Sequence, residues 1–151
     1  MTISVLFLCT GNSARSIIAE ALLKEIGGRD FAVHSAGTDP KELNPFTEKV
    51  LAQEHIDAAQ FYSKGMSEFI GEKFDYVITV CDQAAERCPV FPGDPTRIHW
   101  SFPDPAAVEG AETVKMAAFL ETLRGLRRRI EPFVIVAEAA AREAARSQAS
   151  A

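Results

Sequence analysis

Cysteine is scarce in this chain of 151 residues: there are three, at 9, 81 and 88. An odd number does not fit a paired disulfide framework. In a reducing compartment such cysteines are reactive, metal-binding or inert and buried. Cys81 and Cys88 lack close Cys-x-x-Cys spacing, and the histidines at 34, 55 and 99 form no ligand cluster, which disfavours a metal centre. Positive charge is also short. The formal charge is −5, whereas a general nucleic-acid binder carries a basic face. A local cradle can still attract a small anion that the whole surface weakly repels. No apolar run approaches membrane-spanning length. Met1-Thr-Ile-Ser leads directly into strand-like sequence, without the charged region that opens a signal peptide. No internal repeat and no linker is visible. The expectation is one domain in the cytoplasm, large enough for a proper core, with no nucleic-acid or membrane partner.

What is present centres on Cys9-Thr-Gly-Asn-Ser-Ala-Arg15-Ser16, directly after the apolar run Ile3 to Leu8. The run reads as a buried strand, and Ser16-Ile-Ile-Ala-Glu-Ala-Leu-Leu-Lys-Glu-Ile as a helix. A tight strand-to-helix turn aims successive backbone N–H groups into one concavity at the positive end of a helix dipole, which suits a tetrahedral oxyanion. The same setting is expected to lower the Cys9 pKa, leaving a thiolate at neutral pH. Arg15 supplies a planar fork of donors for two oxygens of that anion. A lone cysteine at a strand end is commonly a small buried hydrophobe, and Gly-Asn-Ser is ordinary turn chemistry. The joint pattern of Cys, five residues, then Arg-Ser at a strand-to-helix junction is much rarer than either part. The oxyanion-binding set is therefore Thr10, Gly11, Asn12, Ser13, Ala14, Arg15 and Ser16.

Strand and helix patterns alternate along the chain. Phe31 to Gly37 reads as a second strand, and Asn44 caps a helix with Pro45 in its first position, running from Phe46 to about His55. A short helix is expected over Met66 to Glu72, a strand over Phe74 to Val80, and a short helical stretch over Asp82 to Arg87. Most of the eight prolines fall between Pro89 and Pro105; that region reads as loop apart from a strand over Thr96 to Trp100. From Ala111 onward Val114, Ala117, Leu120, Leu123, Leu126 and Ile130 repeat at helical spacing, and Pro132 is expected to kink or end that helix. The fold class is α/β: a single-domain, open, mostly parallel four-stranded sheet with helices on both faces. A domain over 1–133 is followed by an Ala-rich helical or frayed tail over 134–151. The site of such a sheet lies beyond the carboxyl ends of its strands, where Cys9, Ser35-Ala36-Gly37 and Cys81 all fall.

Cys81 and Cys88 are seven positions apart, a helical rise of about 10 Å. A disulfide tolerates at most roughly 7 Å between Cα atoms. The two thiols are either unrelated, or they pair only when the short helix unwinds. A thiol at Cys81, at the mouth of the oxyanion site, could attack a sulfur-bound intermediate on Cys9, with Cys88 as the exposed outlet. Asp104, on a proline-held loop, is a carboxyl of the kind that protonates a leaving oxygen, although Asp-Pro is also a routine turn. The basic cluster Arg127 to Arg129 reads as a solvated helix face.

Jointly, Cys9 to Ser16 after its strand, His34-Ser-Ala-Gly-Thr38, Val80-Cys-Asp82 with Cys88-Pro89, His99-Trp100 and Phe102-Pro-Asp-Pro-Ala106 resemble the low-molecular-weight protein tyrosine phosphatase fold. Within it, the likeness is closer to the thioredoxin-coupled arsenate reductases, and extends to about Phe133. The resemblance implies Cys9 as nucleophile, Arg15 as anion clamp, Asp104 as general acid, and Cys81 and Cys88 as relay thiols. It implies arsenate as substrate, thioredoxin as reductant of a Cys81–Cys88 disulfide, and a monomeric enzyme. Ala14 stands where the phosphatases typically carry a second cysteine, Ile17 where they commonly have proline, and Ala106 where their acid loop usually has tyrosine. All three point away from the alternative, a phosphatase of phosphotyrosine or small phosphate esters. No cofactor is required. Some reductases of this type bind potassium, and the matching positions are Asn12, Glu20 and Ser35. Tyr62-Ser-Lys-Gly65 lacks the aspartate that would complete that set, and the Lys64 ammonium is the expected substitute for the ion.

Overall fold

Val5, Leu6, Phe7 and Leu8 are all fully buried. Side chains alternate between the two faces of a strand, so four buried neighbours in a row require cover on both sides. These residues belong to β1 (Ile3–Cys9), which pairs with β2 (Phe31–Gly37) on one side and β3 (Tyr76–Thr79) on the other. β4 (Thr96–His99) lies outside β3. The order is β2-β1-β3-β4 and every pair is parallel. The chain is thus a single α/β domain on a four-stranded parallel sheet, described over residues 2–149 of the computed structural model.

Parallel neighbours need crossovers, and helices supply them. α1 (Arg15–Gly27) follows β1 and packs on α4 (Glu112–Ala149), against which α2 (Pro45–Gln53) also rests. Asn44 caps α2 by accepting the Phe46 N–H at 2.9 Å, while Pro45 opens it. Ile17, Ala21, Leu51, Ile56 and Phe61 form a separate small core between α1 and α2. The five-residue α3 (Asp82–Glu86) follows β3 and packs on β1 and β3. Because β2 and β3 flank β1 on opposite sides, the chain switches direction at β1. The crevice opened there lies beyond Cys9 and Cys81, at the strands' carboxyl ends.

Two expectations from the sequence are corrected. The helix expected over Met66 to Glu72 is a single 3₁₀ turn at Met66–Glu68; Gly71 and the half-exposed Ile70 give a longer helix little to gain. Pro132 neither ends nor interrupts α4, which continues to Ala149. Proline removes one N–H and frees the carbonyl four residues back, here that of Arg128. Pro132 and Arg128 both lie on the exposed face, where water can satisfy that carbonyl. Phe133, Val134 and Ala137 stay buried beyond it and hold the helix to the sheet. The expected tail is therefore helical through Ala149, with 150 and 151 outside the described residues.

Candidate active site

Every carbonyl from Cys9 to Ala14 is held by a donor from elsewhere in the chain. Thr38, Asp39 and Lys41 donate their N–H groups to Cys9, Thr10 and Gly11; Asn44 and the Thr47 hydroxyl donate to Ser13; Ile18 donates to Ala14. The Ser63 hydroxyl donates to the Asn12 carbonyl. In a planar trans peptide the N–H points opposite to its C=O. Pulling the carbonyls outward therefore turns the loop's N–H groups inward around the Cys9 sulfur, and that of Asn12 lies 3.3 Å from it. Asn12 takes a φ of 48°, which asparagine tolerates better than most residues. Gly37 is needed beside it, because a Cβ there would fall 2.5 Å from the Thr10 carbonyl oxygen. Ala14 gives α1 no side-chain cap, so the helix's first N–H groups remain available to an anion.

Cys9 is 2% exposed. Burial pushes its thiol above the ordinary value, and this outweighs the lowering effects of the Ser16 side-chain and backbone hydrogen bonds, the Arg15 charge and the Asn12 N–H. Against the resting thiolate expected from the sequence stands this desolvation, which penalises the charged form that the loop donors and Arg15 stabilise. The thiol sits 2.8 Å from the Ser16 hydroxyl.

Arg15 donates from Nη1 to the Phe102 carbonyl at 3.0 Å, which ties the clamp to the loop carrying the acid. Asp104 caps the turn Pro105–Ala107 by accepting the Ala106 N–H at 2.9 Å. Cys9, Arg15 and Asp104 line one cavity of about 260 Å³, with Thr10, Gly11, Ser13 and Ala14 on its wall. Lys41, Glu42 and Asn44 also line it. Sequence reasoning missed Lys41 and Glu42, which lie in an irregular loop with no periodicity to flag them, and read Asn44 as a helix cap alone.

The three thiols are free. Cys81 is buried at the head of α3, and its sulfur lies 3.3 Å from the Thr10 hydroxyl. That hydroxyl also donates to Gln83 Oε1 at 3.1 Å. Cys88 is half-buried beyond the other end of α3, where Arg97 Nη1 donates to its sulfur at 3.3 Å. Burial raises the Cys88 pKa, opposed by the charge and hydrogen bond of Arg97. The structure thus ties Cys81 to the loop through Thr10, but neither Cys81, expected at the mouth of the oxyanion site, nor Cys88 lines the oxyanion cavity.

A phosphatase-type loop over a parallel sheet has counterparts among known proteins. The family model described as low molecular weight phosphotyrosine protein phosphatase matches residues 4–142. The chain belongs to this family. An arsenate reductase of Halalkalibacterium halodurans is 37% identical over 129 residues, spanning 85% of this chain and 93% of that protein. An arsenate reductase of Bacillus subtilis shows the same figures, 37% over 129 residues, 85% and 93%. Among solved structures, a thioredoxin-dependent arsenate reductase of Corynebacterium glutamicum superposes with a TM-score of 0.72 at 26% identity over 92% of this chain, which spans 63% of that protein's length. An arsenate reductase of Archaeoglobus fulgidus superposes with a TM-score of 0.70 at 27% identity, covering 86% of this chain and 98% of that one.

Beneath the loop, this family member has a string of buried polar groups. Asn12 Nδ2 donates to the Ser16 hydroxyl at 2.7 Å and to the Ser35 hydroxyl at 2.9 Å. Ser35 donates to Glu20 Oε1 at 2.5 Å, and the Lys64 N–H donates to Asn12 Oδ1 at 2.8 Å. Lys24 pairs with Glu20 Oε2 at 2.9 Å, and the Lys64 ammonium lies 3.8 Å from Oε1 while donating to the Tyr62 carbonyl at 2.7 Å. Burial pulls Lys64 below its ordinary pKa, with Glu20 and Glu68 opposing. The oxygens of Asn12, Glu20 and Ser35, the matching potassium positions, each already take a protein donor, and the Lys64 ammonium stands beside Glu20 among them. Among the described residues no cluster of three or more His, Cys, Asp or Glu side chains is placed to hold a metal. No helix among them is long and apolar enough to cross a membrane.

Proposed function

We propose that this chain is an arsenate reductase that works by a three-thiol relay. The observation that carries this reading is the second thiol: Cys81, linked through Thr10 to the loop that holds Cys9, is superfluous for phosphate hydrolysis and is what electron transfer needs. Arsenate enters the cavity against the loop N–H groups and the Arg15 guanidinium. An oxygen of the entering arsenate dianion takes the Cys9 proton, leaving a thiolate beside an arsenate monoanion held by the loop donors and Arg15. The Cys9 sulfur bonds to arsenic, and Asp104 gives its proton to the departing oxygen, which leaves as water. Cys81 then attacks the Cys9 sulfur. The S–As bond breaks, its electron pair stays on arsenic, and As(V) becomes As(III) while two thiols become a Cys9–Cys81 disulfide. Cys88 attacks Cys81, Cys9 leaves as a thiolate, and the Cys81–Cys88 disulfide passes to an external dithiol. Thioredoxin, named for the Corynebacterium glutamicum relative, is the reductant we assign. A reducing, cytoplasmic setting suits three free thiols. In this reading the Lys64 ammonium takes the place of a potassium ion.

The test is oxidation of NADPH with arsenate, thioredoxin and thioredoxin reductase, comparing wild type with Cys9→Ser, Cys81→Ser and Cys88→Ser. All three variants should lose turnover. Wild-type rates in Cys81→Ser and Cys88→Ser would sink the relay and favour a phosphatase, which needs only Cys9, Arg15 and Asp104. Loss of rate only on replacing thioredoxin by glutaredoxin would support the assigned partner, and the reverse would reassign it.

A further inference from the structure

Two alternate residues of the edge strand, Arg97 and His99, project from the same face of β4 and reach opposite ends of the segment between the relay thiols. At the far end Arg97 donates from Nη1 to the Cys88 sulfur at 3.3 Å and from Nη2 to the Pro89 carbonyl at 2.8 Å. At the near end His99 Nε2 lies 2.9 Å from Asp82 Oδ1, which also accepts the Ser101 hydroxyl at 3.0 Å. A carboxylate oxygen only accepts, so Nε2 carries a proton; the other ring nitrogen lies 2.7 Å from the Thr79 hydroxyl, which fixes the ring. Between the two contacts Ala85 of α3 sits over β3 and β4, where Cys88, Arg97 and His99 share a cavity of about 190 Å³.

We propose that Arg97 and His99 form a two-point clasp that holds the Cys81–Cys88 segment in its dithiol form and lets go when the disulfide forms. This rests on the relay reading. Two cysteines on either side of a helix must come within disulfide range, so α3 unwinds and the ends of the segment move relative to β4. Contacts made only in the dithiol form stabilise that form. Arg97 touches a reacting atom, since it lies on the sulfur that performs the last attack, and a cation there favours the thiolate. His99 acts through Asp82 and is a positioning residue. The equilibrium involved is protein dithiol plus oxidised dithiothreitol giving protein disulfide plus reduced dithiothreitol, two electrons passing between the pairs.

The experiment uses Cys9→Ser protein, in which only Cys81 and Cys88 can pair, equilibrated in dithiothreitol redox buffers and read as thiol mass shift after alkylation. Arg97→Ala and His99→Asn should each favour the disulfide by about two- to fivefold in the equilibrium constant, as expected for exposed charged contacts. Arg97→Lys should recover part of the Arg97 effect. With Cys81 also replaced by serine, Arg97→Ala should slow Cys88 alkylation at pH 7, a change that loss of packing would not produce. Constants equal to the parent's, or shifted toward the dithiol, overturn the clasp while leaving the relay. Failure of the Cys9→Ser parent to form any Cys81–Cys88 disulfide overturns the relay and the clasp with it.

Discussion

The Thr10 hydroxyl stands between two partners, the Cys81 sulfur at 3.3 Å and Gln83 Oε1 at 3.1 Å. A hydroxyl has one proton to give. While it is given to Gln83, the Cys81 S–H donates to the Thr10 oxygen; once Cys81 ionises, the hydroxyl can turn and donate to the thiolate. In the proposed relay Thr10 thus serves the thiol that attacks Cys9, as well as the loop that holds Cys9. Thr10→Val keeps the shape and removes the switch. Turnover of arsenate should fall by about tenfold, the cost of one hydrogen bond to a charged group. Phosphate affinity, measured by calorimetry, should change little, and Thr10→Ser should restore the rate.

Burial of Cys9 makes a prediction about pH. A thiol with an ordinary value of 9.0 and a higher folded one is protonated in both states at neutral pH, and the stability it contributes is lost as pH rises through the folded value. In a Cys81→Ser/Cys88→Ser background, the rate of Cys9 alkylation by iodoacetamide should therefore rise with a midpoint above the ordinary 9.0. The urea midpoint of that protein should also fall, relative to one carrying Cys9→Ser as well, only from about that pH upward. A midpoint near neutrality would show that the loop donors outweigh burial.

The sequence made β1, the turn and α1 legible because their signals are local: an apolar run, Gly-Asn-Ser, then helix formers. The convergence of Cys9, Gly37 and Cys81 was also readable, since parallel alternation of strand and helix brings strand ends together. Pro132 misled because its cost depends on which face of α4 it occupies, and that is set by packing on α1 and the sheet. Arg97 and His99 were invisible as partners of Cys88 and Asp82, because contacts between an edge strand and a distant short helix carry no spacing signal. The desolvation of Cys9 was invisible for the same reason. Motif chemistry names the donors around a thiol, while the depth of its burial is a property of the whole core.

Lys64 and Glu20 bear on the dependence on potassium. The ammonium of Lys64 lies 3.8 Å from Glu20 with both groups nearly fully buried, which is why we assign it the place of a cation. Thermal midpoints and arsenate turnover should be the same in potassium and sodium chloride of equal ionic strength. Lys64→Met should cost about 2 kcal/mol, less than the usual loss on breaking a buried pair because Lys24 still faces Glu20. Marked stimulation of the wild type by potassium would sink the substitution.

Asp104 offers the cleanest separation of structure from chemistry at this site. Its Oδ1 caps the turn at Pro105–Ala107 through the Ala106 N–H, and an asparagine oxygen can accept the same hydrogen bond. Asp104→Asn should therefore leave the loop, the Arg15 contact with Phe102 and the thermal midpoint in place. What it removes, in the role we propose for Asp104, is the proton that the oxygen departing from arsenic takes. General acid catalysis contributes about 10²- to 10⁴-fold, so kcat should fall within that range while phosphate binding persists. The loss should show in the first displacement: rapid-quench mass spectrometry would find slower formation of the Cys9–Cys81 disulfide, because the arsenic adduct that precedes it forms late. A variant that instead accumulated that adduct and stalled afterwards would place Asp104 at the thiol exchange and remove it from the role of acid.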